Sequence, residues 1–304
     1  MQIKAADSRQ PDVLALERLL GRRNLPAATR KRVESEIRQI QAGELAEQAA
    51  AYQIELYFGR SENWATIHDL RIEVDGLSAQ IDHLLMNRLA EIWVCESKSF
   101  AECVSINEHG EWLRWWNGRP EGIPSPVEQN HRHVFLLERV FDDGLAPRPR
   151  RLGLASMTPR LKSLVLVSDN ARINRPKRGW KGLDEVIKAE QLKTHVFDAF
   201  DAMREWELLR LIGKGGLQKF ARGLAALHRP APFDWAARFG LEPEDTEPSR
   251  GAHAPNGASA TPATRPWLVK YDGSCARCGR ILAKGTPAVW ERTTRTIHCI
   301  ECPV

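Results

Sequence analysis

The sequence predicts an α/β domain followed by a small, separate C-terminal module. Along the first part of the chain, the spacing of apolar residues follows the order helix, three strands, helix, strand, which is typical of α/β proteins. Beyond residue 240 the chain becomes rich in proline and poor in large apolar residues, and four of its six cysteines then follow within residues 267–304. With 304 residues, of which 42% are apolar, the chain is long enough for two units and one sizeable core.

The N-terminal part of the chain is predicted to be helical. Residues 12–42 carry apolar side chains at helical spacing, with a break at Gly21 and a new start after Pro26. The helical pattern continues to about Phe58. We therefore assign residues 1–40 to a helical extension that precedes the core domain.

Strand signals follow in the core domain. Short apolar runs bounded by turn residues predict three strands, 64–74, 78–86 and 89–98. The turns between them are expected at Asp75-Gly76 and Asn87-Arg88. Strands joined by tight turns pair antiparallel, so these three strands are expected to lie side by side.

The rest of the core domain alternates between strand and helix. We predict a hairpin within 104–117 with Gly110 at its turn, a helix over 126–142 that begins at Pro126, and a buried strand over 161–168. These elements complete a core domain that covers residues 41–175. A further helical region is predicted over about 183–228. We therefore assign residues 176–240, which contain it, to a helical C-terminal part of the same domain.

Composition argues against two classes of protein. No apolar run approaches the roughly 20 residues needed to span a bilayer, and the N-terminus lacks the apolar stretch of a signal peptide. Six cysteines in 304 residues do not form the dense pattern of a secreted disulfide scaffold. The expected location is the reducing cytoplasm.

Positive charge is concentrated in one part of the chain. The formal net charge is +5, but the stretch from Arg148 to Lys181 contains ten Lys and Arg residues against one acid, Asp169. A local basic block is the electrostatic pattern of a protein that binds a polyanion. The alternative, which charge alone leaves equally open, is a solvated loop whose charges only aid solubility.

Two acids and a lysine lie on neighbouring predicted strands. Asp82 precedes Glu96 by fourteen residues and Lys98 follows Glu96 by two, so the period of a strand puts Glu96 and Lys98 on one face. Both acids lie beside apolar runs, where a charge is costly unless it is paired or binds a metal. Phosphodiester hydrolysis needs a divalent cation on carboxylates and a positive group beside the attacking water. The alternative for so common a spacing is a hairpin with a polar outer face.

Four short motifs occur in order around these residues. They are Gly43-Glu44 on the first core helix, Gln80-Ile81-Asp82-His83, Glu96-Ser97-Lys98, and Ser125-Pro126-Val127-Glu128-Gln129 at the start of the next helix. In this order and rough spacing, residues 41–140 resemble the NERD family, the nuclease-related domains of the PD-(D/E)XK nuclease superfamily. The chain departs from the family pattern at Ile40, where a glycine is frequent, and at Ser125, which replaces an asparagine.

The resemblance implies a PD-(D/E)XK nuclease-like fold with an α-β-β-β-α-β core. It implies that Asp82 and Glu96 bind Mg2+ (or Mn2+) and that Lys98 lies beside the attacking water. It also implies that Glu44 and Gln129 line the site, the first as a further carboxylate near the metal and the second as a partner of phosphate or of Lys98. The plain alternatives are an exposed helix acid for Glu44 and an ordinary first-turn polar residue for Gln129.

Three histidines and two cysteines near these motifs are given structural or peripheral roles. In a regular strand His83 points away from the face of the preceding acid, which favours a histidine that is hydrogen-bonded within the core. His131 and His133 are expected at the surface or in contact with phosphate. Cys95 and Cys103 have no partner at metal-ligand spacing and are interpreted as buried thiols.

The last part of the chain, residues 267–304, has the cysteine spacing of a metal site. Two Cys-x2-Cys pairs, Cys275 with Cys278 and Cys299 with Cys302, are separated by twenty residues. Four thiolates at this spacing complete a tetrahedral structural Zn2+ site, and the metal supplies folding energy that so short a module lacks. A hairpin predicted over 286–298 makes the module similar to a zinc ribbon. A redox dithiol pair and an iron–sulfur cluster are the alternatives.

The sequence therefore predicts a cytoplasmic, Mg2+-dependent nuclease-like protein that acts on DNA. A proline-rich stretch, residues 241–266, is expected to be a disordered linker that tethers the zinc-ribbon-like module. The basic side chains of that module are expected to help bind nucleic acid or a protein partner. The competing hypothesis is a non-catalytic nucleic-acid-binding or interaction protein of a DNA-processing or defence system on a nuclease-derived fold.

Overall fold

The computed structural model divides the chain into two compact units, Met1–Pro243 and Glu244–Val304. In the first unit it describes residues 1–151, 155–177, 179–202, 209–230 and 233–242. In the second unit it describes residues 267–268, 273–276, 278, 280–282, 286–291 and 296–299. Most of the linker predicted over 241–266, and the predicted zinc ligand Cys302, lie outside the described residues.

The N-terminal elements of the first unit run from a short strand through two helices to a three-stranded meander. Their bounds are β1 Gln2–Lys4, α1 Gln10–Leu20, α2 Ala27–Ile54, β2 Trp64–Val74, β3 Leu77–Asn87 and β4 Glu91–Lys98. A π-helical turn, Glu55–Gly59, follows α2. The predicted break between two helices is confirmed, because α1 ends before Gly21 and α2 begins after Pro26.

The remaining elements of the first unit are an inserted group of strands, a large helix and a C-terminal group. Their bounds are β5 Cys103–Ile106, β6 Trp112–Trp116, β7 Arg119–Ile123, α3 Pro126–Asp142, β8 Arg150–Arg151, β9 Ala155–Ser156, β10 Arg160–Val167, β11 Arg172–Asn174, β12 Val186–Lys188, α4 Leu192–Asp201, α5 Lys214–Ala225 and α6 Trp235–Arg238. The helix predicted over 126–142 and the hairpin around Gly110 are confirmed. The helical region predicted over about 183–228 is wrong in part, since it contains β12, whose three residues are too few to show a period.

A six-stranded mixed sheet forms the centre of the first unit, with the strand order β1-β2-β3-β4-β10-β12. β2, β3 and β4 pair antiparallel, as their short connections require. β10 runs parallel to β4, with Leu164 opposite Cys95, and β12 runs parallel to β10. Because α2 precedes the meander and α3 precedes β10, the elements follow the predicted α-β-β-β-α-β order, and the mixed α/β class is confirmed.

Helices cover both faces of this sheet. On one face, α3 and α5 pack in a core cluster that includes Ile92 and Val94 of β4. On the other face, α2 and α4 pack in a cluster that includes Trp93 and Cys95. Alternate residues of β4 therefore point to opposite helical layers, as the period of a strand requires. Within the described ranges, none of the helices has both the length and the hydropathy to cross a membrane.

The two connections of the meander differ in kind. Asp75 and Gly76, with φ of 49° and 77°, form the two-residue turn predicted between β2 and β3. The second connection is longer than predicted, because β3 includes Asn87 and β4 begins only at Glu91. The side-chain oxygen of Asn87 accepts hydrogen bonds from the backbone N–H groups of Leu89 at 2.9 Å and Glu91 at 3.2 Å, which fixes this loop.

A second, four-stranded sheet in the order β11-β5-β6-β7 is inserted where β4 and β10 end. β5 follows β4 and β11 follows β10, and the two pair in parallel with Ile173 opposite Val104. β6 and β7 form a hairpin at the edge of this sheet, and Asn117 and Gly118 form its turn. The insertion therefore begins directly beyond Lys98, the last residue of β4.

The described part of the second unit consists of short strands. Their bounds are β13 Trp267–Leu268, β14 Gly273–Ser274, β15 Ile281–Leu282, β16 Pro287–Glu291 and β17 Thr296–Cys299. β16 pairs antiparallel with both β13 and β17, and β14 pairs with β15. The hairpin predicted over 286–298 is confirmed as β16 and β17.

Candidate functional site

Asp82 and Glu96 approach each other where β3 and β4 separate. The pairing of the two strands ends with His83 opposite Cys95, which brings the next residues, Asp82 and Glu96, to the same level. In place of main-chain pairing, Asp82 Oδ2 accepts hydrogen bonds of 2.8 Å from the backbone N–H and from the hydroxyl of Ser97. Both bonds use Oδ2, which leaves Oδ1 for another ligand.

Glu96 is buried, with 1% of its surface exposed. Its Oε1 accepts a hydrogen bond of 2.5 Å from Lys98 Nζ. Its Oε2 is also buried and has no hydrogen-bond partner among the described residues. A buried carboxylate oxygen without a donor is a position at which a cation would stabilise the protein.

The pKa values of both acids are raised, chiefly by burial. The pKa of Glu96 is raised to about 7 by burial and then by the charge of Asp82, against the opposing effect of Lys98. Burial raises the pKa of Asp82 as well, although the bonds from Ser97 and the charge of Lys98 act the other way. The single ammonium group of Lys98 therefore does not compensate two neighbouring carboxylates.

A third acid faces this pair from α2, and it is Glu47. Its pKa is raised to about 7 by burial and, as the next largest cause, by the negative charge of Asp82. Glu44 lies one turn earlier on the same helix face and accepts a hydrogen bond of 3.4 Å from the backbone N–H of Arg9. The role of Glu44 at the site stays a prediction, and Glu47 was not among the residues predicted from the sequence.

The first turns of α3 border the site. Asn130 anchors this helix to the sheet by donating hydrogen bonds from Nδ2 to the carbonyls of Val94 at 2.8 Å and Leu164 at 3.1 Å. Gln129 is half-buried and lies one turn before His133, so the two side chains share a helix face. The predicted contact of Gln129 with phosphate or with the lysine stays a prediction.

His133 contacts the acid pair directly, so the expectation that it lies at the surface is wrong. Its Nδ1 lies 3.5 Å from Glu96 Oε2, and 8% of its surface is exposed. Burial, followed by the charge of Lys98, lowers the pKa of His133 to about 4. The imidazole is therefore neutral near pH 7, and its contact with Glu96 is not an ion pair. His131 instead shares a hydrogen bond of 2.8 Å with Glu185.

Residues 42–167 match the family model described as NERD, nuclease-related domain. The match covers 126 of the 304 residues and supports a nuclease-related domain. The resemblance inferred from the four motifs is thereby confirmed for residues 42–167, which we call the NERD region. No curated protein and no solved structure matches the chain. The NERD region begins within α2 and ends with the last residue of β10, so it contains Asp82, Glu96, Lys98, Glu47 and Gln129.

Two more charged residues join the acids of the NERD region. Asp69 of β2 has a φ of 54°, in the left-handed region that non-glycine residues seldom adopt. Its carboxylate accepts hydrogen bonds from Gln80 Nε2 at 2.6 Å and from Arg9 Nη2 at 3.3 Å. The same guanidinium lies 3.8 Å from Glu47, although Arg9 precedes the NERD region in the chain. The charge of Asp69 raises the pKa of both Asp82 and Glu47.

In β2 and β3, which carry Asp69 and Asp82, the alternation of inward-facing residues shifts by one residue at neighbouring positions. In β2 the residues of one core cluster are odd-numbered up to Ile67 and even-numbered from Leu70 onward. In β3 they are odd-numbered up to Ile81 and even-numbered from Leu84 onward. In each strand two successive residues therefore lie outside this cluster. They are His68 and Asp69 in β2, and Asp82 and His83 in β3. A regular period of two does not predict such a shift.

The prediction that His83 is hydrogen-bonded within the core is confirmed, although its strand is not regular there. Its Nδ1 lies 2.8 Å from Nδ1 of His68, and Nε2 of His68 lies 2.9 Å from Glu55 in the π-helical turn. Burial, followed by the charge of His68, lowers the pKa of His83 well below its ordinary value. His83 is thus a neutral histidine with a structural role.

A cavity of about 280 Å³ opens beside Lys98. Its wall is made largely of small side chains from α2 and of residues at and beyond the end of β10, including Ala46, Ala49, Ala50, Leu166 and Ser168. The alanines of α2 leave this space open. Water or a substrate group can therefore approach the lysine from the α2 side of the sheet.

The basic block predicted from Arg148 to Lys181 is not one continuous surface. Arg160 and Lys162, at the start of β10, lie 3.2 Å and 3.1 Å from Glu91, at the far end of β4 from the acid pair. Only the later members follow the site end of β10. They are the exposed residues Arg172, Arg175, Lys177 and Lys181.

The acid site fits a cation that is held by two carboxylates and water. Among the described residues, no three acids bring their oxygens within 4.8 Å of one another. Asp82 Oδ1 and the unpartnered Glu96 Oε2 are the oxygens that remain for a ligand. Mg2+ is usually bound through one or two carboxylates and keeps several waters, so these donors suit it.

A separate cysteine cluster in the second unit has the geometry of a metal site. The sulfur atoms of Cys275, Cys278 and Cys299 lie within 4.8 Å of one another. The backbone N–H of Cys299 donates to Cys275 Sγ at 3.3 Å, a contact that favours a thiolate. The fourth predicted ligand, Cys302, lies outside the described residues. Three converging sulfurs are compatible with the predicted zinc module.

The raised pKa values of Glu96 and Glu47 make the stability of the metal-free protein depend on pH. An acid whose pKa is about 7 in the folded state, against 4.5 ordinarily, stabilises the fold below pH 4.5 and loses that contribution as the pH rises through 7. His133, whose pKa falls from 6.5 to about 4, acts in the opposite direction between those values. Between pH 6.5 and about pH 8 we expect the two acids to lower the free energy of unfolding by on the order of 1 kcal/mol, while the amino group of Met1, whose pKa burial lowers, acts in the opposite direction.

Urea unfolding in EDTA at the two pH values measures this fall. Glu47→Gln should reduce it, because glutamine does not titrate. Glu44→Gln, one turn earlier on the same helix, is the matched control and should leave the fall unchanged. If Glu44→Gln removed the fall and Glu47→Gln preserved it, the placement of Glu47 beside Asp82 would be contradicted.

Proposed function

We propose that this protein is a divalent-metal-dependent nuclease that hydrolyses the phosphodiester bonds of DNA. One observation carries the proposal: two acids, the half-buried Asp82 and the buried Glu96, share a strand end with the ammonium group of Lys98, which bonds to Glu96. Burial raises the pKa of both acids, because one lysine does not balance them. A hard divalent cation on carboxylate oxygens would supply the missing positive charge.

In this proposal each side chain has a distinct task. Asp82 and Glu96 would hold Mg2+ or Mn2+, which when bound polarises a phosphate oxygen and acidifies a water. Lys98 stabilises the negative charge that develops on the phosphate or orients the attacking water. Glu47, with a pKa of about 7, is suited to accept a proton from that water at neutral pH. Gln129, on the facing helix, would bond to the phosphate.

Arg9 adds a fixed positive charge beside Asp69 and Glu47. Its guanidinium bonds to Asp69 and lies near Glu47, and its backbone N–H bonds to Glu44. Within the described part of the site, Asp82 and Glu96 are the two acids beside which no arginine lies. In the proposal, Arg9 therefore limits the site to one cation, and Glu44 acts by positioning Arg9.

DNA is the substrate class that we favour. The family match is to nuclease-related domains, and exposed basic residues follow the site end of β10. Lys and Arg side chains in such a position neutralise backbone phosphates without reading sequence. The free thiols of Cys95 and Cys103 accord with the reducing cytoplasm predicted for the protein.

We also propose that the second unit is a zinc-ribbon-like module. Cys275, Cys278, Cys299 and Cys302 would bind one structural Zn2+, since the first three sulfurs already lie together. The module would assist binding of nucleic acid or of a protein partner.

A non-catalytic nucleic-acid-binding or interaction protein on a nuclease-derived fold is the second hypothesis. The family match is equally consistent with it. The presence of Asp82, Glu96 and Lys98 together at one strand end favours catalysis, because a protein that only binds does not need two acids with raised pKa values beside a lysine.

The test is incubation of the purified full-length protein with plasmid DNA, linear DNA and RNA in the presence of Mg2+, Mn2+ or EDTA. We expect DNA cleavage with either metal and none in EDTA, and we expect Asp82→Asn to abolish it. Cleavage in EDTA, or by the Asp82→Asn variant at the wild-type rate, would refute the proposal. Binding of DNA without cleavage under every condition would favour the second hypothesis.

A further inference from the structure

We infer that the β6–β7 hairpin is a stacking platform for unpaired bases of the nucleic acid substrate, with Trp116 as the side chain that stacks. The inference rests on the proposed function, because it names the strand structure that the same site accepts. Trp116 ends β6 and is 59% exposed. Exposed aromatic rings beside positive charge are the feature with which proteins bind single strands, since every base offers a π-face.

The hairpin holds Trp116 in a fixed position. Asn117 and Gly118 have φ of 50° and 68°, which are the left-handed conformations of a tight two-residue turn. The carboxylate of Glu102 accepts hydrogen bonds from the backbone N–H groups of Asn117 at 2.8 Å and Gly118 at 3.4 Å. At the other end of β6, Trp112 is buried in a core cluster. A platform fixed at both ends loses little conformational entropy when a base stacks on it.

The platform borders the proposed active site. Glu102, which holds the hairpin turn, lies four residues beyond Lys98, so the Cα atoms of the two residues are at most about 14 Å apart. Three strands of the inserted sheet, β5 to β7, lie in the chain between Lys98 and α3, whose first turn carries Gln129. A strand whose phosphate lies at Lys98 therefore reaches Trp116 within a few nucleotides.

Charge at the hairpin favours nucleic acid over an apolar protein partner. Arg119 lies directly opposite Trp116 in the ladder and has no ion-pair partner within the described part of the chain. Arg114, two residues before Trp116, lies 2.7 Å from the exposed Glu121. A free guanidinium beside an exposed indole matches the alternation of phosphate and base along a single strand.

The same geometry discriminates between unpaired and paired nucleic acid. In a duplex each base is stacked on its neighbours and its faces are covered. In a single strand, a flap or a frayed end, the faces are free to stack on an indole. Because stacking does not read the sugar, the inference covers both DNA and RNA single strands.

The experiment measures binding of the full-length protein in buffer without Mg2+ or Mn2+ and without chelator, so that the probes are not cleaved and the zinc proposed for the second unit is kept. A labelled single-stranded DNA, the same sequence as a duplex, and the matching RNA strand are titrated by fluorescence anisotropy at one salt concentration. Trp116→Ala should weaken binding of both single strands about tenfold and binding of the duplex less than about twofold. Trp116→Phe should recover most of the loss. Phe135→Ala is the matched control, because Phe135 is 56% exposed on α3, and it should bind as the wild type does.

Each outcome bears on one hypothesis. Single-strand binding by Trp116→Ala at wild-type strength would overturn the stacking platform, and cleavage by the same protein would leave the proposed function intact. An equal loss for single strand and duplex would also overturn it, since the ring would then act without regard to pairing. Failure of the wild type to bind any of the three probes would refute the proposed substrate class and the platform with it.

Discussion

Replacing Lys98 with alanine is expected to lower the rate of DNA cleavage by about 10³-fold while the protein remains folded. The ammonium group of Lys98 bonds to the buried Glu96 and would neutralise charge that develops on the phosphate. Its side chain is about one third exposed, so its removal leaves no large cavity. Initial cleavage rates in Mg2+ measure the loss, and circular dichroism measures the fold.

The chain offers a matched control on β10, beside the opposite end of β4. Lys162 bonds to Glu91 at 3.1 Å, and Glu91 is buried at the start of β4 much as Glu96 is buried near its end. The two lysines are exposed to nearly the same extent. Lys162→Ala should therefore cleave DNA at the wild-type rate. If both variants lost activity equally, the effect of Lys98→Ala would be one of stability, and the assignment of Lys98 to the active site would be contradicted.

Replacing Cys275 with serine is expected to remove bound Zn2+ and to unfold the second unit. A structural zinc site supplies about 10–16 kcal/mol of binding free energy to modules of this kind, which exceeds what so short a chain gains from its own core. Elemental analysis of the purified protein should find one zinc per chain in the wild type and none in the variant. Limited proteolysis should then cut the variant within residues 267–304 and spare the first unit.

Cys103→Ser is the control for this experiment. Cys103 is a free, half-buried thiol in the first unit, and its replacement should leave the zinc content unchanged. One zinc per chain in Cys275→Ser would contradict the thiolate site. Iron with visible absorbance would instead identify an iron–sulfur cluster, and a metal-free wild type with a reversible disulfide would identify a redox dithiol pair.

The elements that carry a strong local signal could be predicted from the sequence. α3 was expected to begin at Pro126, where the fixed φ and the missing N–H of proline suit a first helical turn, and it does. β2 was expected over 64–74 and has those bounds, because its apolar run ends in an Asp-Gly turn. β12 was not predicted, since a parallel edge strand is defined by its pairing with β10 and not by its own three residues.

The residues of the candidate site that were predicted are likewise those with a local sequence signal, and the residues that were missed depend on contacts between distant parts of the chain. Asp82, Glu96 and Lys98 are recognisable because they lie on paired strands at a characteristic spacing. Glu47 was missed in favour of Glu44, since residues one turn apart share a helix face and only the packing of α2 decides which of them faces Asp82. An acid in the middle of an apolar strand was the available signal for Asp69, and no local signal connects Arg9 with it.

His133 was expected at the surface because it is polar, but it is buried. Its place on the buried face of α3 follows from the anchoring of that helix by Asn130, which is a contact with two strands that are distant in the chain. The basic block shows the opposite error. Residues close in sequence were grouped together, although β10 carries the charge at its start to the far end of the sheet from the acid pair.

The part of the chain that matches the family model is smaller than the part that folds. The NERD region ends with β10, yet Leu217, Phe220 and Leu224 of α5 are buried against the same sheet face as α3. A chain cut to residues 42–167 would expose that apolar face to water and would lose the guanidinium of Arg9. We therefore do not expect residues 42–167 to fold as an isolated fragment, since the sheet face that α5 covers would be in water.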